Sequence, residues 1–88
     1  MNKLRIDTEA KLCYIEDNVV NLTKIEYELL LFLLNNKNKI FSRQELVNEV
    51  WKTKVSLRAV DAAISRIRKK VGESYIKTRQ GFGYGMII

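Results

Sequence analysis

The chain has 88 residues, a net charge of +6 and a hydrophobic fraction of 47%, enough for one small packed core and too apolar for a disordered basic tail. It has no His and one Cys, Cys13, which removes the usual general base, disulfides and thiolate zinc sites. No apolar run approaches the roughly 20 residues that span a bilayer, and the start lacks a basic-then-apolar leader, so the expectation is one cytoplasmic domain over residues 1–88, without membrane, metal or cofactor.

Residues 1–22 alternate as short strands: Leu4 and Ile6, then Leu12, Tyr14 and Ile15, then Val19, Val20 and Leu22, with turn chemistry at Asp7-Thr8 and Asp17-Asn18. A small antiparallel sheet follows from that pattern, with Cys13 as a small buried hydrophobe within it. Thr23 and Glu26 form a capping box that opens a first helix over about 24–36. Its apolar positions Ile25, Leu29, Phe32 and Leu33 recur at helical steps, and Leu30, Leu31 and Leu34 widen the stripe. Ser42 and Glu45 make a second box, starting a helix through Leu46, Val47, Val50 and Trp51. After a loop at 52–57, a third helix runs over 58–71 and stops at Gly72. Two strands, 75–79 and 82–87, joined at Gln80-Gly81, read as a tight hairpin.

The charge is one-sided. From Lys52 onward the bases Lys52, Lys54, Arg58, Arg66, Arg68, Lys69, Lys70, Lys77 and Arg79 face only Asp61 and Glu73, whereas the first 51 residues are nearly neutral. Such a field attracts a polyanion, with affinity from counterion release. On the third helix, Val60, Ile64, Ile67 and Val71 fall in one narrow arc and predict a buried stripe. Arg58, Ala62, Ser65 and Lys69 lie opposite, with Arg66 beside them. Small residues there let the backbone approach a groove about 12 Å wide while Arg and Lys reach edges and phosphates. Asp61 is placed to pair with Arg58 and Arg68. Lys77, Thr78, Arg79 and Gln80 at the hairpin tip form a basic, hydrogen-bonding finger. Gly81, Gly83 and Gly85 are read structurally, as turn geometry and close backbone approach at Gly83. A solvated basic surface helix is the competing reading of the same charge run.

Strands, three helices and a hairpin make an α+β order, that of a winged helix-turn-helix. The residues resemble the C-terminal DNA-binding domain of the OmpR/PhoB class of bacterial response regulators. The resemblance rests on Leu22-Thr23-Lys24-Ile25-Glu26-Tyr27-Glu28-Leu29-Leu30, on Phe41-Ser42-Arg43-Gln44-Glu45-Leu46 with Glu49-Val50-Trp51, on the segment from Arg58 to Lys70, and on Ile76-Lys77-Thr78-Arg79-Gln80-Gly81-Phe82-Gly83-Tyr84. It implies an N-terminal antiparallel sheet, a three-helix core and a hairpin wing, with the third helix in the major groove of duplex DNA and the wing at the adjacent minor groove. The family's contact positions fall on Arg58, Ala59, Ala62, Ala63, Ser65, Arg66 and Arg68, on Trp51, and on Thr78, Gln80 and Tyr84; Lys69, Lys77 and Arg79 join them from charge and position. Such proteins bind direct repeats as head-to-tail dimers, and the loop at 52–57 corresponds to a segment that can meet RNA polymerase. A phosphoacceptor receiver domain accompanies this domain in longer regulators.

This sequence departs from the family pattern at several places. Ala63 stands where His is frequent, and Gln80 stands where a wing Arg precedes the first Gly, with Arg79 one place earlier. The loop before Arg58 is short, and the first strand is trimmed at Met1. Trp51 reads either as a cap on the core or, through its indole N–H, as a phosphate donor. The alternative function is a basic protein-interaction module without sequence preference. An enzyme is not expected, because Asp7, Glu9, Glu16 and Asp17 lie in turns at the neutral end rather than in a cleft.

Overall fold

A computed structural model describes residues 4–87; Met1, where the first strand is expected to be trimmed, lies outside them. The chain opens with β1 (Leu4–Asp7), β2 (Leu12–Ile15) and β3 (Asn18–Val20), an antiparallel sheet in the order β1-β2-β3. Asp7 Oδ1 accepts from the amides of Glu9 and Ala10 and so shapes the first turn. The second turn is Glu16-Asp17, one residue earlier than expected, since Ile15 pairs with Asn18. Both turn residues take positive φ, 50° and 70°, the twist that a two-residue hairpin favours. The pleat turns Leu4, Ile6, Ile15 and Val20 to the core around the buried Cys13. Burial raises the Cys13 thiol pKa and keeps it protonated.

Helix α1 (Lys24–Asn35) starts on the expected capping box: the Thr23 hydroxyl accepts from the Glu26 amide and Glu26 Oε1 accepts from the Thr23 amide. It ends at Asn36, whose side-chain amide donates to the Phe32 carbonyl at 2.8 Å. Helix α2 (Arg43–Leu46) opens on the second box and runs on into a π-helical turn at Val47–Trp51. Lys52 closes it in the left-handed region, φ 58°. Helix α3 (Leu57–Val71) begins one residue earlier than expected and stops at Gly72, φ 105°. Its stripe Val60, Ile64, Ile67 and Val71 is buried against Leu29, Leu30 and Leu33 of the core. Each such side chain contributes about 1.5–3 kcal/mol by leaving water.

The wing is β4 (Lys77–Arg79) with β5 (Gly83–Gly85), shorter than the two strands the sequence suggests. Arg79 pairs with Gly83, and the Phe82 amide donates to the Arg79 carbonyl at 2.8 Å across a turn with Gly81 at φ 83°. The other edge of β5 is covered too. Phe41 and Tyr84 exchange backbone hydrogen bonds of 2.8 and 3.0 Å, and the Asn38 amide donates to Met86 at 2.7 Å. A Cβ on Gly83 would overlap the Phe41 carbonyl, and one on Gly85 the Lys39 carbonyl. The alternating glycines therefore exist so that the strand can lie against 39–41. Among the described residues the Tyr27 hydroxyl is the one buried side-chain polar atom without a partner.

Candidate nucleic-acid interface

The exposed side of α3 is the one opposite the buried stripe. Arg58, Ala62, Ser65, Arg66 and Lys69 are exposed, and Ala59 and Arg68 are half-buried. Ala63 is a correction: it is fully buried at 0% exposure and packs in the core, so it has no surface to offer a ligand. The helical turn brings Ala63 toward the stripe side, beside Val60 and Ile64, rather than toward Ala62.

Two ion networks hold α3 in place. At its C-terminal half, Glu26 is completely buried. Its Oε2 accepts from Arg66 Nε at 2.9 Å, and its Oε1 accepts from Lys70 Nζ at 2.7 Å and from the Thr23 amide at 3.0 Å. Burial pushes the carboxyl up, but the hydrogen bonds from Lys70, Thr23 and Arg66, with the Lys70 charge, outweigh it and hold the pKa down to about 2. At the N-terminal half, Asp61 Oδ2 accepts from Arg43 at 3.1 Å and Oδ1 from the Tyr84 hydroxyl at 2.7 Å. The sequence suggested that Asp61 pairs with Arg58 and Arg68; instead it ties α3 to α2 and to β5. Burial, with the bond to Asp61, raises the Tyr84 phenol pKa above its ordinary value.

Arg68 joins helix to wing. Its guanidinium donates to the Ile76 carbonyl at 2.8 and 3.2 Å and to the Thr78 hydroxyl at 2.7 Å, and lies 5.6 Å from the Tyr84 ring centroid. Of the expected contact residues, Lys77, Thr78, Arg79 and Gln80 are exposed on the wing and Tyr84 is half-buried beneath it. Trp51 is half-buried and packs against the core, which favours the cap among its two readings. Between the wing and the starts of α2 and α3 runs an open groove of about 490 Å³, lined by Arg43, Gln44, Leu57, Arg79, Gln80 and Phe82 among others. Arg43 and Phe82 were not singled out in the sequence; a helix-start Arg and a hairpin-turn Phe carry no local mark of the surface they share. The side chains of Arg58, Lys69, Lys77 and Arg79 make no hydrogen bond or ion pair among the described residues. They are the unpaired cations of α3 and the wing.

Residues 17–86 match the family described as "Transcriptional regulatory protein, C terminal". The chain belongs to this family. Among its relatives, the transcriptional regulatory protein SrrA of Staphylococcus aureus is 38% identical over 89 residues, covering 92% of this chain and 37% of that protein. The chain thus spans little more than a third of the length of the curated relatives it matches. Among solved structures, the Thermotoga maritima OmpR/PhoB homologue DrrB superposes with a TM-score of 0.89 at 37% identity, covering 97% of this chain and 42% of that one. The DNA-binding domain of AdeR, solved in complex with an intercistronic region, gives 0.89 at 31% identity, covering 99% and 96%. The DNA-binding domain of Bacillus subtilis CssR gives 0.86 at 34% identity, covering 96% and 99%. This OmpR/PhoB-type domain is a winged helix of the DNA-binding, transcription-regulating class. Among the described residues no helix is long and apolar enough to cross a membrane, and no group of three or more His, Cys, Asp or Glu is placed to hold a metal ion.

Proposed function

We propose that residues 1–88 act as one sequence-specific duplex reader in the cytoplasm, with α3 in the major groove and the wing at the adjacent minor groove. The observation that carries this is the exposed basic face of α3, Arg58, Ala62, Ser65, Arg66 and Lys69, held at a fixed angle to the wing by Arg68 and Asp61. Small side chains at Ala62 and Ser65 admit the groove floor, and Arg58 and Lys69 reach the walls. Arg66 keeps its Nε on Glu26 and presents its remaining donors from a half-exposed position. Arg43 and the wing cation Arg79 line the groove between wing and helix, where a phosphate strand crossing from major to minor groove would pass.

The finer reading follows the family. Two domains bind direct repeats head to tail, a receiver domain governs them in a longer chain, and the loop ahead of α3 is a surface for RNA polymerase. No catalytic step is assigned to any residue. Selection from a randomised duplex pool, followed by fluorescence anisotropy on the enriched sequence, tests the reading. The expected outcome is enrichment of tandem half-sites and binding about a thousandfold or more tighter than to random duplex. Binding indifferent to sequence would leave a basic protein-interaction module instead.

A further inference from the structure

Three donors converge on the two oxygens of the buried Glu26 carboxylate, and they divide unequally. Oε1 takes both the Thr23 amide at 3.0 Å and Lys70 Nζ at 2.7 Å, whereas Oε2 takes Arg66 Nε at 2.9 Å. Two cations share one negative charge, so the cluster stays net positive and Arg66 is not neutralised. The Arg66 side chain is 51% exposed although its partner has no exposed surface. Its terminal nitrogens Nη1 and Nη2 make no hydrogen bond among the described residues. A guanidinium is planar, so a bond that fixes Nε also fixes the plane in which the Nη1/Nη2 fork points. Around that fork the helix surface is low: Ala62, one turn earlier, and the adjacent Ser65 are small and exposed.

We infer that Glu26 is a positioning residue for base recognition, holding the free fork of Arg66 end-on toward O6 and N7 of one guanine in the half-site; this deepens the duplex-reading function proposed above and rests on it. Guanine alone shows the major groove two adjacent acceptors, which match the two parallel N–H groups of the fork. A phosphate accepts such a fork from many directions, but a base edge accepts it only in one plane, so a clamp on Nε serves discrimination more than affinity. A guanidinium that is already oriented also loses less side-chain freedom on binding. Glu26 can supply this because its other oxygen is anchored without Arg66, by the first turn of α1 and by Lys70. The specificity of α3 is thereby set in part by a residue of α1 that has no surface for DNA to touch.

The test uses the 88-residue chain on the selected duplex, with 7-deazaguanine placed in turn at each guanine of the half-site. That base keeps its pairing and O6 but lacks the N7 acceptor. At one position the wild-type chain should bind the natural guanine about tenfold or more tighter, the effect of one hydrogen bond from a charged donor, and Arg66→Ala should bring that ratio close to one. Glu26→Gln offers one oxygen to three donors. The oxygen settles on the side of Thr23 and Lys70 and turns the amide nitrogen against Arg66 Nε, so the ratio should fall to about threefold or less while discrimination at the other pairs persists. Added to Arg66→Ala, it should change the ratio no further. Lys70→Met takes a partner from the same carboxylate but spares the Arg66 bond, and should keep the ratio. In nitrogen-15 NMR of the wild-type chain, the Arg66 Nε–H should exchange slowly with water both free and on the duplex, a readout that needs no variant. A ratio unchanged in Glu26→Gln, an equal loss in Lys70→Met, or release of the Arg66 Nε–H to solvent on binding overturns the inference. Half-site discrimination with no guanine sensitive to both N7 and Arg66 overturns it too and leaves the proposed function standing. Indifference of the wild-type chain to the half-site strikes both.

Discussion

Glu26 shows how much one residue of this domain is asked to do. Its carboxylate caps α1 through the Thr23 amide and fixes α3 through Arg66 and Lys70, while fully removed from water. Burying an ionised carboxylate is costly unless hydrogen bonds and opposite charges surround it, and here the Thr23 amide, Arg66 and Lys70 all donate to it. Glu26→Gln keeps the shape but gives up the charge. It is expected to cost about 1–3 kcal/mol, toward the low side for a buried pair because Arg66 and Lys70 retain access to water. The pH dependence has a definite sign. The folded carboxyl is held from its ordinary 4.5 down to about 2, so in acid the unfolded chain binds its proton first. The stabilisation is therefore complete above about pH 5 and is lost as pH falls from about 4.5 toward 2. Urea unfolding of wild type and Glu26→Gln across that range checks it. The two curves should be separated at pH 6 and converge in acid; a separation that stays constant down to pH 2 would show that the carboxylate's ionisation is not what stabilises α3.

The wing depends on the strand it borrows. β5 is sandwiched between β4 and residues 39–41, and glycine at 83 is required twice, by φ 145° and by the Phe41 carbonyl against which a Cβ would press. Gly83→Ala should thus destabilise by about 2 kcal/mol or more, combining backbone strain with a clash against rigid main chain. Gly81→Ala meets only the strain of φ 83°, in open space, and should cost about 1 kcal/mol. Denaturant midpoints of the two variants measure the difference; equal losses would mean that β5 does not press on 39–41 in solution. This element also shows where the sequence stopped being readable. Capping boxes at Thr23 and Ser42, the buried stripe of α3 and the hairpin were legible because each is a local pattern of spacing. Close approach at Gly83 was legible as well, from alternating glycines in a strand. Its partner was not, since nothing at 39–41 marks a lone bridge to a strand more than forty residues away. For the same reason Asp61 was given neighbours on its own helix, while Arg43 and Tyr84 reach it from elsewhere. Ala63 was assigned to the reading face through the resemblance, although the helical wheel alone sets it beside the stripe.

Across the whole molecule, internal pairing decides which of the basic groups are available to DNA. Arg43, Arg66 and Lys70 already face carboxylates, and Arg5 lies 3.6 Å from Asp17 on the first sheet. Arg58 and Lys69 on α3, with Lys77 and Arg79 on the wing, are uncompensated and exposed. A cation that already faces a carboxylate gains less from a phosphate, because binding must compete with the existing pair; an uncompensated one releases condensed counterions outright. With about four such cations on the helix face and wing of each domain and a slope of about −0.9 for each phosphate neutralised, log affinity against log salt should fall with a slope of about −3 to −4 per bound domain, and about twice that on a tandem site. Lys77→Ala should weaken selected and random duplexes alike and reduce the per-domain slope by about one. Lys11→Ala, in the first sheet turn with its amine on the Thr8 carbonyl, should leave the slope as it is. Anisotropy titrations at four or five salt concentrations on both duplexes separate the possibilities. An equal drop in slope for Lys11→Ala and Lys77→Ala would mean that net charge alone sets the affinity, and that the helix face and wing hold no privileged cations.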